Sequence, residues 1–503
     1  MSRTKKSIFN AISMVLNTLL LSITSLITTR LIILNYGSDF NGVIATANQL
    51  VNLLLIVEGG FTLAINVALF KPFMEKDNYK MSSIIVAARN VFVKISFAFF
   101  ALGLLASIMY PLLIQSELDY IIIAVVFMLV VMSTSFNMLF VVVPKIMFQV
   151  SQTEYVCTIF STIVNFCSGI VTIVLVLNNF NMLAVRFSIF LFTIINGIII
   201  VILYKKYFKN IDSSVSGSFD SIKGTKEVII QRLTSVIYLS SPILFISTFA
   251  STMSASVYAV YLSVFNIIKM VLNSILAAPV NGFGQMLSTE DKEKVYAKYS
   301  IYEFIILFAC TILLATTLSL IIPFVNIYTE GVYDINYIDY RLAILMCLIA
   351  FLEIVHIPAG NIINVSGNFK KSRDIQLTTA VLLLFFLPIG GYTLGIYGIL
   401  LATIAVNMIL ASLEIAFVYR EVFAVSLKQV VFKIFANLTL LLVCFAFWYH
   451  NIWKIDSYVS FFVSGGIVFV VNSLVILGIN YMFNMELFAG VLSILNGKLL
   501  KRK

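Results

Sequence analysis

Fourteen separate stretches of this chain are apolar for long enough to cross ~30 Å of hydrocarbon. They lie at 8–34, 39–70, 81–113, 119–143, 151–177, 182–204, 227–250, 254–287, 299–325, 336–365, 373–389, 395–419, 429–449 and 457–481. Only GGYTLG divides the pair at 373–389 and 395–419. Backbone in hydrocarbon must satisfy its own hydrogen bonds, and runs of this length do so as helices. Composition agrees, with 61% of the 503 residues hydrophobic and only 11% charged. The expected fold is therefore an all-α polytopic membrane protein of about fourteen transmembrane helices. The basic start MSRTKKS leads into an apolar run with no small-residue cleavage site, which predicts a retained first helix rather than a signal peptide.

A net charge of +10 would suggest nucleic acid in a soluble chain, but its distribution has a simpler cause. With the N-terminus inside, the cytoplasmic segments hold 24 of the 33 basic residues, and the opposite loops hold only Lys454. Cytoplasmic loops gather Lys and Arg, so both termini are expected to be cytoplasmic, with no nucleic-acid partner. The outer loops are too short for a folded external domain. The five cysteines, Cys157, Cys167, Cys310, Cys347 and Cys444, all fall inside apolar runs and read as small core residues.

The one sizeable break is 204–226, YKKYFKNIDSSVSGSFDSIKGTK, which is polar and rich in Ser and Gly. It follows the sixth apolar run, so the expected layout is a six-helix bundle at 1–205 and a cytoplasmic linker at 206–226. A second six-helix bundle at 227–420 follows, then two extra helices and a basic tail at 421–503. GVIATANQLVNLL from Gly42 and SVYAVYLSVFNII from Ser256 align without gaps, matching Val43/Val257, Ala45/Ala259 and Asn52/Asn266. Both stretches open the second helix of their half, as a duplicated, pseudo-symmetric bundle requires.

The stretch RLIILNYGSDFNGVIATANQLVNLLLIVEGGFTLAIN, 30–66, turns within Asn35-Tyr36-Gly37-Ser38, with Asp39 as a candidate N-cap of the next helix. Asn48, Asn52, Thr62 and Asn66 then fall near one helical face with Glu58 beside it. Such a face must look into protein or water. Asn10, Ser13, Asn17, Thr24 and Thr28 form a second polar stripe, which could line a cavity or bond to a neighbouring helix.

The cations within apolar runs are Arg30, Arg89, Lys94, Arg186, Arg232, Lys269, Arg341 and Lys433, against Glu58, Glu154, Glu303, Glu353 and Glu414. The interior leans cationic, which suits an anionic ligand. Lys269 shares a face with Asn266 and Asn273, a reasonable seat for an anionic oxygen; the plainer reading pairs Lys269 with Glu58. Glu353 and His356 are i, i+3 neighbours, and a carboxylate beside an imidazole can exchange a proton near neutral pH; the plainer reading is a hydrogen-bonded pair without a transport role. Pro358 should loosen the helix there into a hinge. No Walker A sequence, GxGxxG after a strand, HExxH or CxxC pair occurs, so no catalytic, metal or cofactor site is expected.

The apolar helix ending in Arg30, then Gly37-Ser38-Asp39-Phe40-Asn41-Gly42, a long helix through Glu58-Gly59-Gly60 and a basic loop resemble the polysaccharide transporter family of Wzx-type lipid-linked oligosaccharide flippases. That family shares a superfamily with the peptidoglycan-precursor flippase and the MATE exporters. The resemblance covers about residues 1–425 in topology, and the last two helices resemble the extra pair of longer members. It implies a MATE/MOP-like fold, two six-helix bundles facing each other in a V around a central cationic cavity. It implies a flippase, not an enzyme, moving undecaprenyl-pyrophosphate-linked oligosaccharide units to the outer leaflet of the bacterial cytoplasmic membrane, driven by a proton or sodium gradient. The expected partners are the lipid-linked oligosaccharide, membrane lipids, and the polysaccharide polymerase and chain-length machinery. The expected substrate-binding set is Arg30, Arg89, Lys94, Arg232, Lys269, Arg341, Asn52, Asn266 and Asn273, with Glu58, Glu353 and His356 as ion-coupling candidates. A MATE-like exporter of organic cations would instead call for deep carboxylates in excess. A membrane-embedded polymerase, ligase or glycosyltransferase would call for a sizeable outer loop with catalytic residues, and the longest outer segment, 326–337, is too short and lacks basic residues. A scaffold or sporulation-type relative with an unknown ligand is a further alternative.

Overall fold

A computed structural model of the chain describes residues 3–212, 214–217, 226–277, 279–451 and 453–495. These residues form helices and connecting turns with no β-strand among them. Eleven helical stretches are long and apolar enough to cross a membrane, and Leu233–Phe249 is a shorter apolar helix. This is a multi-pass membrane protein. Large apolar side chains such as Leu105, Ile121, Phe385, Phe432, Phe462 and Met482 stand exposed on these helices, the surface that hydrocarbon tails solvate.

The chain divides into two compact units, Met1–Ser256 and Val257–Lys503. The first holds α1 (Arg3–Leu54), α2 (Ile56–Glu75), α3 (Asn78–Met109), α4 (Tyr120–Phe140), α5 (Val142–Val150), α6 (Glu154–Leu177), α7 (Met182–Tyr207) and α8 (Lys226–Phe249). The second begins within α9 (Thr252–Ala277). It continues through α10 (Val280–Thr289), α11 (Lys292–Tyr328), α12 (Tyr340–Val355), α13 (Ile357–Val365), α14 (Phe369–Phe417), α15 (Lys428–Asn451), α16 (Tyr458–Phe483) and α17 (Met485–Leu495).

Two of the longest stretches are broken by one glycine each. In α1 the turn expected over 35–38 narrows to Gly37 alone, at φ 87° and ψ 165°, a conformation only glycine adopts without strain. In α14 the break is Gly395, at φ 56° and ψ −133°. The chain folds back there, since a Cβ on Gly390 would lie 2.3 Å from the carbonyl oxygen of Gly398. The apolar run expected as one helix over 39–70 is cut at Leu55, between α1 and α2. The run over 254–287 is likewise cut between α9 and α10. Near Pro358 the helix is interrupted for one residue: α12 stops at Val355, His356 lies between the two helices with φ −83° and ψ −18°, and Pro358 sits in the first turn of α13, where its missing N–H costs no helical bond.

In the first unit, the first limb of α1 runs parallel to α6. Asn10 accepts from Tyr155 N at 2.7 Å, Thr162 Oγ1 donates to Asn17 Oδ1 at 2.7 Å, and Tyr36 OH donates to Phe180 O at 2.7 Å. The polar stripe of this helix is thus spent partly on interhelical bonding, the alternative left open by the sequence. Two apolar clusters hold the unit together: Phe40, Val43, Ala47, Phe127 and Val131 in one, Ile65, Leu69, Ile84, Phe92 and Ile146 in the other. At the start of α3, Asp77 accepts from Lys80 N at 3.0 Å, and that bond holds its carboxyl below the ordinary range.

The proposed linker falls partly outside the described residues, at 213 and 218–225. Its described part is docked on α3. Asp212 N donates to Ser82 Oγ at 2.9 Å, and Ser83 Oγ donates to Ser216 O at 2.8 Å. Gly217 lies so close that a Cβ there would come 2.7 Å from Ala87 N. The second unit is built around α11, whose most apolar window is 67% buried, against 6% for Ile12–Leu54. It packs against α12, α15, α16 and α17. The five cysteines are free thiols; four are buried, but Cys167 is exposed and so is no core residue.

Candidate functional site

Polar side chains in membrane helices are costly unless paired or wet, so the partner of each one reveals its role. Asp39 does not cap its own helix. Its carboxylate is buried and accepts from Ser116 Oγ at 2.9 Å, Glu117 N at 2.7 Å and Thr252 Oγ1. The carboxylate therefore ties the end of α1's first break to the loop after α3 and to the first residue of α9. Backbone bonds close the same knot: Gln115 N to Ser247 O and Thr252 N to Gln115 O, both 2.9 Å. A Cβ on Gly42 would meet the Thr252 carbonyl oxygen at 1.7 Å, so only glycine permits this approach. Asn41 Nδ2 adds a bond to Ser256 Oγ at 2.7 Å.

Further along the unit, the expected polar face is divided by the break at Leu55. Asn52 Nδ2 donates to Gln49 Oε1 at 3.3 Å, and Ser240 Oγ donates to that same oxygen at 3.0 Å. Glu58 accepts from Thr62 at 3.0 Å, while Asn66 donates to Gln149 at 3.1 Å. Gln149 in turn donates to Glu154, which lies 3.5 Å from Lys145. On α3, Arg89 and Lys94 are exposed, with Asn90 one turn below Lys94. Lys94 makes no hydrogen bond or ion pair among the described residues. Arg30 is half-buried on the first limb of α1. Arg232 lies on α8, and its side chain is outside the described residues.

In the second unit two of the deep carboxylates, Glu353 and Glu414, meet basic side chains. Lys269 Nζ lies 2.9 Å from Glu353 Oε2, with side chains 15% and 28% exposed. Its partner is therefore Glu353, not Glu58, and Asn266 and Asn273 stay exposed on either side of it along α9. The expected Glu353–His356 pair does not form. Instead the His356 Nδ1 lies 2.8 Å from Oε2 of the fully buried Glu414 on α14. Gln376 Nε2 approaches the other Glu414 oxygen at 3.4 Å. Arg341 is exposed in the first turn of α12.

Sequence reasoning singled out Glu414 and Glu303 only as apolar-run carboxylates and gave them no role. Glu303 is buried and held by two phenols, Tyr299 OH at 3.1 Å and Tyr419 OH at 2.5 Å. Both carboxylates sit alone in apolar helices, which is the signal of a needed partner. Tyr299 lies one helical turn before Glu303, but Tyr419 is 116 residues from it and His356 is 58 from Glu414, separations that no helical spacing relates. The arrangement leaves two cations exposed on α3 and sets an imidazole against a fully buried carboxylate between α12 and α14.

No protein-family model and no curated sequence relative matches the chain. Solved structures do share its fold. The lipid II flippase MurJ in an inward closed conformation superposes with a TM-score of 0.66 at 14% identity, over 93% of this chain and 99% of that one. An inward-facing multidrug resistance MATE family transporter of the MOP superfamily gives 0.60 at 12% identity, over 83% and 96%. The MATE multidrug transporter DinF-BH gives 0.57 at 15%, over 84% and 97%. The chain therefore has the fold that MurJ and the MATE transporters of the MOP superfamily have in common.

Proposed function

We propose that this protein is a flippase of the Wzx type. It moves undecaprenyl-pyrophosphate-linked oligosaccharide units from the cytoplasmic to the outer leaflet of the bacterial cytoplasmic membrane. The units feed O-antigen, capsule or exopolysaccharide synthesis, alongside a polymerase and chain-length machinery. The observation that carries the reading is Lys94. Its ammonium is exposed midway along a membrane-spanning helix without an ion-pair partner among the described residues. A cation at that depth needs water or an anionic ligand, and a pyrophosphate needs a cation to cross. The fold held in common with MurJ supports the same class of cargo, a lipid-linked one.

In this reading Arg30, Arg89, Lys94, Arg232 and Arg341 line a cationic path, with Asn52, Asn266 and Asn273 as hydrogen-bonding groups for phosphate or sugar. Lys269 joins them only when Glu353 releases it, so the Lys269–Glu353 pair is a switchable contact. The coupling centre moves from the Glu353–His356 pair to His356–Glu414, with Glu58 as a second candidate; it uses a proton or sodium gradient in alternating access. Counting each glycine-broken stretch as two passes and adding Leu233–Phe249 supports fourteen crossings with both termini cytoplasmic. The duplicated halves at 1–205 and 227–420, with the helix pair of 421–503 appended, belong to the same proposal.

The test is translocation of an undecaprenyl-pyrophosphate-linked glycan in proteoliposomes, with and without an imposed pH or sodium gradient. Wild type should flip the glycan in a gradient-dependent way, and Lys94→Ala should slow it by roughly tenfold or more, the equivalent of one lost charge-assisted contact. A wild type that leaves the glycan in place but clears a cationic dye would make the protein a MATE-like exporter instead.

A further inference from the structure

Where the second unit's extra helix pair meets the loop between α11 and α12, two cavities of about 650 Å³ and about 330 Å³ lie side by side. Asn326, Ile338, Lys454 and Asp456 line both, so this hollow region consists of two adjoining chambers. Its two chambers differ in chemistry. The larger is edged by the polar side chains of Glu330 and Asn336 and by the exposed ring of Tyr333. The smaller is lined by aromatics: Tyr340 and Tyr449 meet edge to face at 5.2 Å, and Trp453 stands beside them. Trp453 is fixed by an Nε1 bond to Ser464 Oγ at 2.8 Å.

The hollow has an apolar floor. Leu320, Ile327, Trp448, Ile455 and Val468 form an apolar cluster beneath it. The loop's far end is pinned by Tyr261 OH donating to Tyr337 O at 2.8 Å and by Tyr397 OH donating to Asp339 Oδ2 at 2.7 Å. A pre-formed pocket of this size, with aromatic walls and a few convergent polar groups, is built for a small ligand.

Charge narrows the ligand class. Lys454 is the single cation among the lining residues, and it lies 3.2 Å from Asp456. With Glu330 also on the rim, nothing in the hollow compensates a phosphate. Fixed rings beside amides and carboxylates suit a ligand with apolar C–H faces and many hydroxyls. We infer that this hollow binds the saccharide portion of the translocated lipid-linked glycan on the outer side of the membrane. The inference rests on the flippase reading, which supplies the cargo, and on the near absence of basic residues from the outer loops, which places this loop outside.

The experiment uses the full chain in nanodiscs. The probe is the oligosaccharide pool released by mild acid from the lipid-linked glycans of the producing cells, free of lipid and phosphate. Inorganic pyrophosphate is the contrasting arm. The readout is saturation transfer from protein to sugar protons, with tryptophan emission as a second signal. Trp453 is the exposed one of the two tryptophans, and Trp448 is buried. The saccharide should give a saturable signal, and pyrophosphate should not compete. Asn326→Ala and Tyr449→Ala should each weaken binding by roughly tenfold, and the emission change should vanish in Trp453→Phe. No saturable saccharide signal, equal competition by pyrophosphate, or unchanged affinity in both alanine variants overturns the inference. Flipping in proteoliposomes without saccharide binding would sink this inference and leave the flippase reading standing. Saccharide binding without flipping would uphold the hollow as a saccharide site and sink the flippase reading.

Discussion

Charge is handled differently in the two compact units. In Met1–Ser256 the deep carboxylates are held mostly by neutral donors, Thr62 on Glu58 and Ser116 with Thr252 on Asp39. Arg89 and Lys94 are left exposed on α3. In Val257–Lys503 each deep carboxylate is engaged from another side chain in its own unit: Glu353 by Lys269, Glu414 by His356, Glu303 by Tyr299 and Tyr419. The cationic excess counted along the sequence is therefore not spread evenly. It resides in the first unit; in the second, Lys269 pairs with Glu353, Glu414 meets His356, Glu303 is held by phenols, and Arg341 stays exposed. The teaching is that a count of buried charges says little until each partner is known.

The sharpest way to break that comparison is Glu414→Ala. Glu414 has no exposed side-chain surface, so its removal leaves the His356 imidazole and Gln376 amide facing a cavity. Losing one partner of a buried polar pair costs roughly 3 kcal/mol. We expect a large fall in melting temperature in detergent, with Glu414→Gln, which can still accept from either neighbour, losing less than half as much. If Glu414→Ala melts like wild type, the second unit does not depend on its pairing.

A smaller effect is expected at Lys269. Both members of this pair keep some solvent contact, 15% and 28%, so water screens part of the loss. Lys269→Met should cost about 1–2 kcal/mol, and the double variant Lys269→Met/Glu353→Gln should recover most of it. The recovery reports the coupling between the two side chains directly. If the double variant is as unstable as the single, Lys269 is held by something other than Glu353.

Helices were legible because hydrocarbon leaves a chain no alternative, and the apolar runs state their own lengths. The two breaks were legible too, since Gly37 and Gly395 lie in the only polar or glycine-rich interruptions of their runs, NYGSD and GGYTLG. The site was less so. Glu353 and His356 look like neighbours at i, i+3, but Glu353 meets Lys269 on α9 and His356 meets Glu414 on α14. Asp39 reads as a cap because the rule for helix starts is local, whereas its donors come from residues 116, 117 and 252. A side chain's depth can be counted from sequence. Its partner is chosen by packing, and packing joins residues that no period relates.

The smallest stability effect, close to nothing, is expected where the functional effect is greatest. Lys94 is exposed and engages no described neighbour, so Lys94→Ala removes a charge without leaving a partner behind. Exposed substitutions away from caps, cavities and networks fall within about 0.5 kcal/mol. A melting temperature within error of wild type, together with lost translocation, would separate ligand-facing charge from structural charge on the same molecule. A marked drop in melting temperature would mean that Lys94 is held inside the first unit as firmly as Glu414 is in the second, and the asymmetry between the units would disappear.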